Sequence, residues 1–322
     1  TAVLAPSKSE ELLDQLRAYA ARGIAVVLIT HKLDEALATA DRITVLRRGA
    51  VVLEGRADEL TEDAVTTAMI GGTLGPEAAR APAPPRGEVR LHARALELER
   101  EDGRGIGVRG VTLVVAAGEV VGVAGVEGNG QRELVRAVAG LGVPVGGTLD
   151  VAGPVGFIPE DRTTEGLIPA LSLARNLVLG SGRGAPWMRG GRIAWPVARA
   201  RTAELVEQYD IRAAGPDAAV SGLSGGNQQK LVIARELDRR PAVVVAENPT
   251  RGMDIRAAAE VHRRLRRAAR DGAAVLVASS DLDEILALAD RIVVMAGGRL
   301  TEAPPGADRA VIGAMMLGAP EA

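Results

Sequence analysis

The sequence predicts an α/β fold present twice: a remnant of one domain, then a whole second domain of the same kind. Three observations carry this. Residues 23–49 (GIAVVLITHKLDEALATADRITVLRRG) and 272–298 (GAAVLVASSDLDEILALADRIVVMAGG) align without gaps at a constant offset of 249, with 14 of 27 positions identical. So long a period marks a duplicated domain, because solenoid repeats run to only tens of residues. Short apolar runs alternate with helical patterns along 89–317, which argues a sheet covered by helices on both faces. A glycine-rich turn, GVEGNG at 125–130, joins one such run to a helix.

The elements follow in order. Residues 7–22 read as an amphipathic helix with Leu12, Leu16 and Ala20 on one face. Residues 26–29 read as a short buried strand, 33–40 as a helix and 43–46 as a strand. Carrying the offset back pairs Thr1 with Thr250, so the chain opens in mid-pattern. It is expected to be the later part of a longer protein, with 1–72 the C-terminal remnant of a first domain. Residues 73–88 (TLGPEAARAPAPPRGE) are rich in Pro and Ala without periodicity and read as a linker. The second domain is expected over 89–317, with a tail at 318–322. Its strands are expected at 111–115, 120–124, 155–158, 243–246, 275–278 and 292–295, and its clearest helices at 131–139, 197–208, 226–238 and 256–270.

Composition narrows the class. The chain has 322 residues, 47% hydrophobic and 25% charged, which is globular rather than disordered. The 39 Lys and Arg nearly balance the 41 Asp and Glu, so no global field calls for nucleic acid. Absence of cysteine excludes disulfides and thiolate metal sites, and three scattered histidines argue against a histidine metal site. No apolar run approaches the ~20 residues of a membrane span.

Four runs and one histidine carry chemistry. In VVGVAGVEGNGQREL (120–134), Gly125, Gly128 and Gly130 stand where a phosphate-binding loop G-x-x-x-x-G-K-[ST] places its glycines. Glycine lets backbone N–H groups curl around phosphate oxygens, and the following helix adds its dipole. Gln131 replaces the phosphate-contacting Lys and Arg132 the Mg²⁺-binding Ser/Thr. A tight strand-to-helix turn would need the same glycines. In LSGGNQQK (223–230), Ser224, Gly225 and Gly226 open a helix and could bring backbone amides to a phosphate; a plain helix N-cap reads the same way. VVVAENPTRGMD (243–254) is a buried strand ending in a Pro turn, and GFIPEDRTTEGL (156–167) an acidic loop. His31 follows the first copy's strand in ITHKLDE.

The run LSGGNQQK resembles the signature of ABC transporter ATPases, in the form seen in sugar and nucleoside importers. VVVAENPTRGMD is similar to that family's Walker B strand and D-loop, in the family's order and spacing. The resemblance covers all but the linker and the last few residues. It implies a P-loop NTPase-like ABC nucleotide-binding domain with a helical subdomain at about 163–240, preceded by a partial copy of the same fold. It implies ATP and Mg²⁺ as ligands, and ATP contacts at Gly125, Gly128, Asn129, Gly130, Gln131, Arg132, Ser224, Gly225, Gly226, Gln228 and Asp254. Glu247 falls where the Mg²⁺-associated Asp sits, a weak metal position. Asn248 falls at the general base, and an amide cannot take a proton from water. Ser280 replaces the switch histidine, for which His31 is the catalytic residue of the first copy. Glu160 stands near the Gln of the Q-loop, and no aromatic between Tyr19 and Phe157 is available to stack adenine, leaving only Arg100.

All five departures (Gln131, Arg132, Glu247, Asn248, Ser280) concern hydrolysis or tight Mg²⁺–phosphate binding, while the signature is intact. Cassettes of this family pair head to tail. The resemblance therefore implies a degenerate second cassette that lends its signature to an ATP site on the first. It implies the energy-coupling ATPase of a bacterial importer, for nucleosides, with ribose- or galactose-type sugars as the alternative. The partners implied are membrane permease subunits and a substrate-binding lipoprotein, with the protein peripheral on the cytoplasmic face of the membrane; no nucleic acid is expected. A tandem-cassette translation factor is disfavoured by the short, nearly neutral linker, and a non-hydrolysing regulatory cassette remains a third reading. The chain alone is expected to be inactive as an ATPase.

Overall fold

A computed structural model describes residues 6–30, 33–47, 49–70, 87–101, 103, 105–182 and 184–316. They fall into two compact units, one within residues 1–82 and a larger one over 83–253 and 257–322. Most of the expected linker, and His31, lie outside the described residues.

The first unit comprises α1 (Pro6–Ala21), α2 (Leu33–Thr39), the antiparallel pair β1 (Arg42–Arg47) and β2 (Ala50–Arg56), and α3 (Glu62–Ile70). Its small core gathers Ile43, Val45, Ala57 and Val65. On α1 it is Leu13 that is buried, beside half-buried Leu12 and Leu16, whereas Ala20 is exposed. The expected strand at 26–29 does not form. Val27 and Ile29 are 86% and 94% exposed. Their counterparts in the second copy sit in a strand flanked on both sides by parallel neighbours (below), and no described strand of the first unit supplies either neighbour. An apolar run becomes a buried strand only when its backbone N–H and C=O groups have ladders to join.

In the second unit, β3 (Val89–Glu99) and β4 (Ile106–Ala116) lead to β5 (Val120–Ala124), α4 (Gln131–Val138), β6 (Gly146–Val151) and β7 (Val155–Ile158). A helical region follows: α5 (Leu173–Val178), the short hairpin β8 (Met188–Arg189) and β9 (Arg192–Ile193), α6 (Trp195–Gln208) and α7 (Gly225–Asp238). The chain then returns to β10 (Val243–Glu247), α8 (Ile255–Arg270), β11 (Ala274–Ser279), α9 (Leu282–Leu288), β12 (Arg291–Ala296), β13 (Arg299–Glu302) and α10 (Arg309–Met316).

The main sheet has the order β13-β12-β5-β11-β10-β7, parallel except for β13. Every residue of β5, β10 and β11 is buried. That is why these strands read as unbroken runs of Val, Ala and Leu rather than as alternation. One face packs on the helices through Ile158, Leu231, Val244, Leu265 and Ile285. The other packs on α4 and on the antiparallel sheet β4-β3-β6, through Leu91, Leu134, Val245 and Leu276. Gly122 in β5 is dictated by this packing: a Cβ there would stand 2.8 Å from both Ala289 Cβ and Ile285 Cγ2. The sequence singled out neither β3 nor β6, because their half-exposed strands carry Arg, His, Glu and Gly among the apolar positions.

Leu276 lies at the centre of the sheet and is fully buried. Leu276→Ala is expected to lower the unfolding free energy of the second unit by about 2–5 kcal/mol, measured as a fall in the urea midpoint at unchanged slope.

Candidate functional site

Parallel strands end on a common edge, so the loops leaving β5, β7, β10 and β11 converge there. They line an open cleft of roughly 710 Å³. Its lining includes Gly125, Gly128, Gln131, Arg132, Glu160, Glu247, Asn248 and Ser280, so eight positions chosen from motifs far apart in sequence meet in one place.

The glycine-rich turn is held from within. Gly130 has φ +111°, caps the N-terminus of α4, and lies where a Cβ would meet Gly107 O at 2.6 Å. Asn129 donates from Nδ2 to Val126 O (2.9 Å) and accepts at Oδ1 from Gly297 N (2.8 Å). Its side chain and its carbonyl, which accepts from Gly298 N (3.0 Å), therefore both tie the loop to the β12–β13 turn. Gln131 donates to Val126 O (3.0 Å) and folds across Gly125, where a Cβ would come within 2.2 Å of Gln131 Nε2.

Arg132 is the centre of the charges. Its Nε donates to Glu101 (2.8 Å), its Nη2 to Glu165 (2.6 Å) and its Nη1 to Glu247 (3.4 Å). Arg136, one turn further along α4, also pairs with Glu101 and Glu165. Glu101, Glu165 and Arg136 were absent from the sequence expectations. No local pattern flags them, because the pairs they make with Arg132 span 31 and 33 residues; Arg136, at i+4 from Arg132 on a helix, was the one findable member. Glu247 is 4% exposed, and its Oε2 accepts no hydrogen bond. Burial raises its pKa above the usual carboxylate range, with Arg132 opposing.

Asn248 has φ +41°, a left-handed backbone that Asn tolerates better than most residues. Its Nδ2 donates to Glu160 Oε2 (2.8 Å) and its Oδ1 accepts from Ser280 N (3.0 Å) and Ser280 Oγ (3.4 Å). Asn248 thus joins Glu160 and Ser280 in one hydrogen-bonded set. Arg251 forms an ion pair with Glu160 and lies 3.6 Å from Glu127. Arg100, the suggested aromatic substitute, packs its Cγ against Gly107.

Ser224, Gly225 and Gly226 are not among the residues lining the cleft. Ser224 is exposed at the N-cap of α7, and its Oγ accepts from Asn227 Nδ2 (2.9 Å). Gly225 abuts Arg162, whose Nη2 a Cβ would meet at 2.3 Å, whereas Gly226 faces open space. Gln228 points inward: it is buried and donates to Val220 O (3.2 Å), so its amide supports the preceding turn rather than the open face. Asp254 is exposed directly before α8.

The cleft suits a phosphate through its glycine turn and helix N-terminus, but it does not fit a divalent metal ion. In a phosphate-binding loop of this type the metal is held between a Ser/Thr hydroxyl and a carboxylate at the end of the Walker B strand. Here the hydroxyl is replaced by a guanidinium that already reaches that carboxylate, Glu247. Among the described residues no group of three or more His, Asp or Glu could hold a metal.

Comparison with known proteins agrees with this geometry. The ABC transporter family model matches residues 108–251. The nucleoside import ATP-binding protein NupA of Lactococcus lactis is 38% identical over 99% of this chain and 66% of its own length. The glucose import ATP-binding protein TsgD13 of Haloferax volcanii is 37% identical over 100% of this chain and 62% of its own. The ribose import ATP-binding protein RbsA 2 of Rubrobacter xylanophilus is 38% identical over 94% and 59%. The chain thus spans about three fifths to two thirds of the length of these relatives. The dimeric structure of MJ0796, a bacterial ABC transporter cassette, superposes with a TM-score of 0.57 at 22% identity, over 68% of this chain and all of that one.

The raised pKa of Glu247 has a testable sign. A carboxyl whose folded pKa exceeds its unfolded value costs stability once pH rises above the unfolded value, and that cost is complete above the folded pKa. Glu247→Gln is therefore expected to raise the melting temperature at about pH 7.5, with the gain vanishing as pH falls below about 4.3. Melting curves of both proteins across that range check it.

Proposed function

This chain belongs to the ABC transporter family of ATP-binding proteins, and on that premise we propose that it is part of the energy-coupling subunit of an importer, whose second cassette serves a neighbouring ATP site rather than its own. The observation that carries the reading is an asymmetry within one domain. The signature turn at Ser224–Gly225–Gly226 is open at the start of α7, whereas the cleft that would hydrolyse ATP has Asn248 bonded to Ser280 and Glu160 in place of a base.

In this reading the first cassette holds ATP with Mg²⁺ and supplies His31, and the second approaches head to tail. The Ser224 hydroxyl and the first amides of α7 then donate to the terminal phosphate, with the helix dipole favouring the anion. Exposed Asp254 faces the same partner. The second cleft is a degenerate nucleotide site. Membrane permease subunits and a substrate-binding lipoprotein complete the assembly, which places the subunit on the cytoplasmic face of the membrane. No helix among the described residues is long and apolar enough to cross a membrane, so transport requires such partners.

Nucleosides are the proposed cargo, supported by the likeness to NupA and by the runs GVEGNGQ and AENPTRGMD. A simple sugar is the second reading, because the relatives named for ribose and glucose import match at nearly the same identity.

Two outcomes are expected. The purified chain shows no steady ATP turnover; turnover abolished by Ser224→Ala would overturn the shared-site reading. In the longer subunit assembled with its membrane partners, Gly226→Asp places a carboxylate against the phosphate and lowers uptake by at least about tenfold, the equivalent of 1.4 kcal/mol. Labelled uridine and labelled ribose in the same uptake assay separate the two cargoes.

A further inference from the structure

We propose that in the second cleft the guanidinium of Arg132 takes the place of the divalent cation, so that this site receives a nucleoside polyphosphate as its metal-free anion. The inference rests on the reading of the cleft as a degenerate nucleotide site and says what that site accepts.

A metal ion at such a loop has two protein anchors, a Ser/Thr at the second position of the helix and a carboxylate at the end of the neighbouring strand. One side chain here occupies both. Arg132 is the second residue of α4, and its Nη1 lies 3.4 Å from Glu247 Oε1. Its other nitrogens are held by Glu165 at 2.6 Å and Glu101 at 2.8 Å. These two carboxylates also clasp Arg136, which fixes the guanidinium at the mouth of the glycine turn. The charge is therefore resident and oriented before any ligand arrives. A metal ion entering beside it meets a like charge at short range. It also meets an Asn248 amide already bonded to Ser280 and Glu160.

A guanidinium suits the substitute role because it presents several N–H donors in a plane and binds phosphate oxygens directly, without a hydration shell to shed. The neighbouring carboxylates Glu127, Glu160 and Glu165 oppose an anion, so binding is expected to be modest. Its distinguishing property is its metal dependence, not its strength.

The test is equilibrium binding of ATP to the full chain, once with EDTA and once with excess MgCl₂. The wild-type chain is expected to bind ATP at least as tightly in EDTA as with Mg²⁺. Arg132→Ser restores the hydroxyl and removes the resident cation, so it should weaken binding in EDTA by about tenfold or more and make binding Mg²⁺-dependent. Arg132→Lys should retain the wild-type order. Glu247→Gln frees the guanidinium and should tighten binding in EDTA; unchanged or weaker binding there overturns the proposal even if the serine variant fails to fold. Tightening of the wild type by about tenfold on adding Mg²⁺ overturns the inference while leaving the nucleotide site intact. No binding in either buffer overturns both the inference and the reading of the cleft as a nucleotide site, without touching the signature's role, which the uptake assay addresses.

Discussion

Three strands with no exposed residue, β5, β11 and β10, lie side by side, because each satisfies its backbone and buries its side chains only between two neighbouring strands, β12 and β7 closing the outer sides. That constraint sets the whole second unit. It forces the loops after β5, β10 and β11 onto one edge, puts α4 across one face and α7 to α9 across the other, and leaves the strand ends as the only place where polar groups from all of them can meet. The cleft is a consequence of the sheet.

What fills the edge is a self-satisfied polar network. Polar groups brought to a buried edge and left unpaired are each costly in a low-dielectric setting. Instead Asn248 bonds to Glu160 and to Ser280, and Arg132 spreads its charge over Glu101, Glu165 and Glu247. Glu247 Oε2 and Arg162 Nε are the exceptions, both buried and without a hydrogen bond.

The signature turn is built differently. Ser224 is bonded within the first turn of its own helix, its Oγ accepting from Asn227 Nδ2 and its carbonyl from Gln228 N, and Gly226 has open space before it. Within one domain, then, one glycine turn opens on a cleft whose side chains are bonded to one another, and the other stands at an exposed helix start. That contrast is what supports the proposal that the domain serves a neighbouring site.

Much of this was legible from residues alone. The strands 120–124 and 155–158 were read to the residue, since runs such as VVGVA bounded by glycine turns admit few other conformations. The repeat carries the expectation of a duplicated domain, and eight motif positions from distant segments share the cleft. Other features depended on distance through space. The run at 26–29 has the same apolar pattern as β11 yet stays exposed, because a strand is defined by neighbours that its own residues do not specify. Asn129 and Gln228 carry the right chemistry for phosphate, but loop geometry turns their amides onto the protein's own backbone. Glu101 and Glu165 resemble any surface glutamates until the fold brings both to Arg132. The sequence by itself determined most of the second unit's buried strands and helices and the motif residues that line the cleft, because those are local patterns. Only the tertiary structure decided which charges meet, because ion pairs between segments are set by how the sheet and its helices pack.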